Sequence, residues 1–158
     1  MSDSPNSTQI LQCDVAIIGG GPAGLMAAEA AAKQGVSVHV FDAMPSVGRK
    51  FLLAGKGGLN LTHSESFEYF VKRFGETQQS METRLKHFRS EEHQARAHEL
   101  GIETFVGTSG RVFPKDMKAA PLLRAWLQRL RSQGVVFHMR HRWLGWSDDG
   151  ALRFAAPA

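Results

Sequence analysis

Cys13-Asp14-Val15-Ala16-Ile17-Ile18-Gly19-Gly20-Gly21-Pro22-Ala23-Gly24-Leu25 runs from a short apolar segment straight into three glycines and a proline. A nearly continuous apolar run of this length suits a parallel strand covered on both faces. Pro22 fits the first turn of a helix, where a missing N–H costs nothing. Ala23–Gln34 is rich in good helix formers, and Gly35 closes it as the residue after the cap. Val36-Ser37-Val38-His39-Val40-Phe41 is β-branched and reads as a second strand. The three elements form a βαβ unit, which crosses over right-handed into a parallel sheet.

Gly19, Gly21 and Gly24 make the pattern G-x-G-x-x-G between that strand and that helix. Gly19 permits the tight turn, Gly21 lets backbone approach a pyrophosphate, and Gly24 lets helix and strand pack closely. Pro22 and Ala23 open the helix, whose free N–H groups and positive dipole end suit phosphate oxygens. Asp42 follows the second strand, and its carboxylate can accept from both hydroxyls of an adenosine ribose. An acid there disfavours a 2′-phosphate, and hence NADP in this site. The motif serves NAD and FAD alike, and its place at the start of the chain favours FAD.

Further on, residues 43–61 read as a long glycine-rich connection. Such connections tend to be functional. Thr62 and Glu65 form a T-x-x-E capping box for a helix bearing Phe67, Phe70, Val71 and Phe74, closed by Gly75. Two helices are expected near 80–88 and 91–100, and a strand over Ile102–Val106. A helix near 118–133 carries Leu122, Trp126 and Leu130 on one stripe, with Pro121 either opening it or inside its first turns. Val135–Met139 reads as a strand. Asp148-Asp149-Gly150 marks a hairpin between Trp143–Trp146 and Ala151–Phe154.

Two more motifs carry chemistry. Gly48-Arg49-Lys50 and Ala54-Gly55-Lys56-Gly57-Gly58-Leu59-Asn60-Leu61-Thr62 combine glycines, which allow close backbone approach, with cations suited to phosphate or a flavin anion. The segment is not a Walker A loop, since neither Ser nor Thr follows Lys56. Gly110-Arg111-Val112-Phe113-Pro114-Lys115 reads as a strand and turn ahead of a helix.

Taken in order, GGGPAGLMAA, GRKFLLAGKGGLNLT and GRVFPKDMKAAPLLRAWL resemble the BaiN-like family of NAD(P)/FAD-dependent oxidoreductases, to which aminoacetone oxidase-like flavoproteins belong. The resemblance covers nearly all of residues 13–155. It implies FAD bound through Gly19, Gly21, Pro22, Ala23, Gly24 and Asp42. It also implies that Arg49, Lys50, Gly57 and Asn60 lie in a loop near the cofactor, and that Arg111 lies near flavin or substrate. The middle motif departs from the family's commoner S-G-G-G-R-C-N. Lys56, Gly58 and Leu59 stand at the Gly, Arg and Cys, whereas Asn60 matches, which marks a subgroup with its own substrate. Members are longer. The expectation is therefore a disordered tail over 1–12 and, over 13–158, the N-terminal part of an FAD-binding domain. The inserted substrate domain and the C-terminal FAD segment would be absent, and the chain inactive alone.

Composition fits this class: 42% hydrophobic and 22% charged residues are ordinary for a globular chain. No run of 18 apolar residues spans a membrane, and the polar start is no secretory signal. Cys13 is the only cysteine, so no internal disulfide forms, and a cytoplasmic location is expected. The histidines lack metal-ligand spacing, so no metal is expected, and no G-x-S-x-G elbow suggests a hydrolase. Trp126, Trp143 and Trp146 read as core or hairpin packing. Net charge is +4, and residues 80–158 hold 13 basic and 8 acidic groups. The excess over Arg111–Arg142 reads as a solvated helix face, with no nucleic-acid partner and no membrane. The fold expected is α/β, a Rossmann-like domain with a parallel sheet, a helical stretch and a C-terminal hairpin. The function expected is a flavoprotein oxidoreductase acting on a small molecule, with NAD(P)H a candidate electron donor. The alternative is a nucleotide-containing nucleic-acid binder using the Arg111–Arg142 patch.

Overall fold

The computed structural model of the protein describes residues 10–155. Most of the tail expected over 1–12 lies outside them. The chain divides into two compact units.

The first unit comprises residues up to Val47 and from Gln133 onward. Strand β1 is Val15–Ile18, helix α1 Pro22–Ala32 and strand β2 Val38–Asp42. After the second unit the chain returns as β6, Val136–Met139, then β7, Arg142–Trp146, and β8, Leu152–Ala155. The sheet order is β1-β2-β6, all parallel, with Ile17 opposite Val40 and Phe41 opposite His138. The sequence thus gives the expected α/β Rossmann-type domain. Helix α1 packs on β1 and β2 and buries Leu25 and Ala28, one turn apart. Val38 and Val40 are buried on one side of β2. On the other side, Phe41 stacks against His138 at 4.5 Å and Phe154 at 4.2 Å between ring centroids. Cover on both faces is why β2 lacks polar alternation. Hairpin β7–β8 forms where Asp148-Asp149-Gly150 predicts it, with Gly150 left-handed at φ +82. Trp143 and Trp146 meet edge to face at 6.5 Å but stay 42% and 65% exposed, so they pack within the hairpin and not in a core.

The second unit is Gly48–Ser132. It holds α2, Arg49–Ala54; β3, Thr62–His63; α3, Phe67–Lys72; α4, Gln78–Leu85; α5, Ser90–Glu99; β4, Thr104–Val106; β5, Arg111–Pro114; and α6, Ala119–Ser132. The strands form an antiparallel sheet of order β3-β5-β4. Leu59, Ala119 and Leu122 form a core cluster, flanked by Phe51, Leu61, Leu100 and Ile102. Helices α2 and α6 pack together. The Phe51 and Trp126 rings meet edge on at 6.4 Å, and a Cβ on Gly48 or Gly55 would stand 2.6 Å from Leu123 or Ala119.

Three expectations are corrected. The glycine-rich connection over 43–61 is not all loop, because Arg49–Ala54 is helical. Five of its six residues are strong helix formers, bracketed by Gly48 and Gly55, and the sixth, Phe51, gains a partner in Trp126. The capping box of Thr62 and Glu65 does not form. Thr62 is drawn into β3 opposite Val112, Ser66 is the N-cap, and the Glu65 carboxylate pairs with Arg73. Gly75 does not close α3, which ends at Lys72, but lies in the tight turn Gly75–Thr77. Pro121 is the third residue of α6, inside its first turn, where its missing N–H has no intrahelical acceptor to lose. Among the described residues, no helix is long and apolar enough to cross a membrane.

Candidate functional site: a glycine turn and its acidic partner

Each glycine of the turn after β1 is held differently. Gly19 has φ +99, a conformation L side chains rarely adopt, and its N–H donates to the Phe41 carbonyl at 2.8 Å. Gly20 is buried, and a Cβ on it would overlap Val47. Gly21 caps α1 with φ −75 and ψ 178, which any residue can adopt, and a Cβ there would meet nothing within 4 Å. Gly24 faces the Gly19 carbonyl oxygen so closely that no Cβ fits between them. Gly19, Gly20 and Gly24 are therefore required by the fold, whereas nothing in the fold requires Gly21 to lack a side chain. Pro22 and Ala23 are exposed, α1 has no side-chain cap, and no acid lies in its first turn. Its leading N–H groups are thus free to meet an anion, aided by the helix dipole.

Asp42, at the end of β2, is bound into this turn. Its Oδ2 accepts the Gly20 N–H at 2.7 Å and its Oδ1 accepts the Met44 N–H at 2.8 Å. The sequence reading gave Asp42 a ribose but not these two bonds. A carboxylate offers about four lone-pair sites, so it can take further donors. The six residues read as the phosphate and ribose site in the first unit are thus brought together.

In the second unit, Arg49 and Lys50 are exposed at the start of α2, after Gly48 at φ +70. Gly57 is exposed, and a Cβ on it would meet nothing within 4 Å. Asn60 lies just before β3. With its amide nitrogen facing inward, it donates to the carbonyls of Thr62 at 2.8 Å and Val112 at 3.3 Å. Arg111 opens β5, exposed, directly across from His63 on β3. Sequence reasoning missed His63. Its Nδ1 accepts the Glu65 N–H at 3.2 Å, which leaves Nε2 as the donor to the Ser109 carbonyl at 3.0 Å. Its place right after the Asn60-Leu61-Thr62 motif was the available signal. Asn60 and Arg111 are joined through β3 and β5, while Arg49 and Lys50 sit apart on α2.

The structure resembles 3-ketosteroid-delta4-(5alpha)-dehydrogenase from Rhodococcus jostii RHA1, with TM-score 0.65 and 15% identity over 97% of this chain and 44% of that one. It resembles FrdA of E. coli quinol fumarate reductase, with TM-score 0.64 and 22% identity over 90% of this chain and 28% of that one. It also resembles Thermovibrio ammonificans THI4, with TM-score 0.53 and 20% identity over 90% of this chain and 45% of that one. Among curated proteins it is 51% identical, over 49 residues, to the ribosomal RNA dihydrouridine synthase of Haemophilus influenzae. That stretch is 31% of this chain and 12% of the relative. The chain thus spans less than half the length of each of these proteins that it matches. Residues 13–157 match the family described as HI0933-like protein Rossmann domain, in agreement with the resemblance read from the three motifs, so the chain belongs to that family and its cofactor is FAD.

Proposed function

We propose that this chain carries the dinucleotide site of a flavin-dependent oxidoreductase. Gly19, Gly21, Pro22, Ala23 and Gly24 form the pyrophosphate cradle, and Asp42 takes the adenosine ribose. The observation that carries this reading is the empty space over Gly21, beside Gly20 and Gly24, where a Cβ would collide. A glycine that the fold does not need, at a helix N-terminus next to an acid, fits a pyrophosphate approached by backbone. In the second unit we assign Arg49, Lys50, Gly57, Asn60 and Arg111 to the cofactor on their motif positions. The cations suit phosphate or flavin oxygens, and a Cβ on Gly57 would meet nothing within 4 Å. Bound FAD supplies two-electron chemistry, and the protein's part is to hold and orient it. NAD(P)H is the proposed electron donor, a small molecule the substrate, and the cytoplasm the location. The test is an ultraviolet–visible spectrum of the purified protein before and after denaturation and with reductant. A yellow protein that bleaches supports the reading. A colourless one, or absorbance near 260 nm that salt removes, overturns it.

A second reading concerns the substrate. The curated relative is named for dihydrouridine formation in ribosomal RNA, and residues 117–147 here contain six Lys or Arg and no acid. On this reading the acceptor is a uracil ring in RNA, with one hydride and one proton adding across its C5=C6 bond. RNA binding at 0.15 M salt, with affinity that falls steeply as salt rises, would favour it. Absence of binding would return the substrate to a free small molecule.

A further inference from the structure

We infer that Asp42 is a positioning residue that sets the phosphate-binding turn before any cofactor arrives, in addition to its proposed contact with ribose. The inference rests on the dinucleotide-site reading above. Asp42 is the meeting point of three chain segments. Its carboxylate holds Gly20 N–H at 2.7 Å on the turn after β1, and Met44 N–H at 2.8 Å on the segment after β2. Its own carbonyl accepts the His141 N–H at 2.8 Å, between β6 and β7, and the Met44 carbonyl accepts the Arg140 N–H at 3.1 Å beside it. A side chain on Gly20 would meet both Val47 and the Asp42 carboxylate, so the turn is packed against Val47 where Asp42 tethers it.

The reason for an aspartate follows from reach. A carboxylate on one methylene can bond the backbone N–H two residues on, as an Asx turn, and still present its second oxygen elsewhere. Here the second oxygen faces Gly20, one residue before Gly21. Charge-assisted bonds from both oxygens fix the backbone on which the open position depends. A turn ordered in advance spares the ligand the entropy of ordering it, so affinity for the pyrophosphate part depends on a residue that need not touch it.

The test is a chemical double cycle on the purified protein. Affinity is measured by flavin fluorescence for FAD and for an FAD analogue lacking both hydroxyls of the adenosine ribose, with wild type and Asp42→Ala. If Asp42 acts only through the ribose, wild type and variant bind the analogue equally. If it positions the turn, the variant binds the analogue at least about tenfold more weakly than wild type does, equivalent to about 1.4 kcal/mol. Amide hydrogen exchange without cofactor gives the second readout. Gly20 and Met44 exchange at least tenfold faster in Asp42→Ala, while the β6 amides keep their protection. Asp42→Asn serves if the alanine variant does not fold. Its single acceptor oxygen can hold only one of the two amides, so one of them alone loses protection. Equal analogue affinities, or unchanged exchange at both amides, overturns the inference. A wild type that binds no FAD would sink the dinucleotide reading yet leave the exchange test standing.

Discussion

The backbone of Gly24 lies against the carbonyl oxygen of Gly19, with no room for a Cβ between them. The contact joins the first turn of α1 to the first residue of the glycine turn, directly after β1, so it measures how tightly helix and strand are pressed together. Gly24→Ala must open that contact. Backbone cannot rotate away as a side chain can, so the cost is placed at the upper end of overpacking, about 3 kcal/mol. For a chain of this size that lowers the melting temperature by about 6–12 °C. A melting curve like the wild type's would show that the helix shifts without penalty.

Gly21→Val behaves oppositely. Its φ of −75 suits any residue and its Cβ position is empty, so stability should fall only by the roughly 1 kcal/mol that an apolar residue costs at an N-cap. The added side chain stands where the pyrophosphate approaches, and the protein should purify colourless. A folded, yellow variant would move the phosphates elsewhere.

Arg111→Ala tests the third motif. Arg111 is exposed, and no fold-level contact demands its charge, so stability should hold within about 0.5 kcal/mol. In the intact enzyme we expect turnover or flavin reduction to fall instead, as measured by steady-state kinetics with a nicotinamide donor. Wild-type kinetics would make it an ordinary surface arginine.

His138 and His93 give a pH dependence. Burial, then the neighbouring His39 and His141, holds the His138 imidazole below its ordinary range, and burial does the same to His93. The folded state therefore binds protons less readily than the unfolded chain. Above about pH 6.5 both states are neutral at these rings and stability is full. As pH falls below that value the unfolded chain takes up protons first, and stability is lost. His138→Phe keeps a ring stacked on Phe41 and removes one titration, so melting between pH 7.5 and 5.5 should flatten, the remaining slope belonging partly to His93. Parallel curves for variant and wild type would refute this.

Local signals were legible in the sequence and distant pairings were not. β1, α1 and β2 could be read because an apolar run, three glycines, a helix-forming stretch and a β-branched run follow without interruption. Asp42 was found by its place at the strand end, but its bond to Gly20 was not, since 22 residues separate them. α2 was hidden because its five strong helix formers sit among glycines that signal loop. The two residues of β3 show no periodicity and become a strand only by pairing with Arg111 and Val112. β6 was expected as a strand, yet nothing in its sequence names β2 as its neighbour.

That neighbour relation has a consequence for biogenesis. His39 and His138 touch across β2 and β6 although 99 positions apart. At about 5–20 residues per second, a ribosome releases β6 roughly 5–20 s after β2. Gly48–Ser132 is contiguous and can gather in that interval, while one edge of β2 waits unpaired. Closing so long a loop adds little to the final free energy, because its cost grows only with the logarithm of length, but it slows the last pairing. During translation the vulnerable surface is therefore the open flank of β2, where a chaperone would protect the nascent chain and a second nascent copy would do it harm.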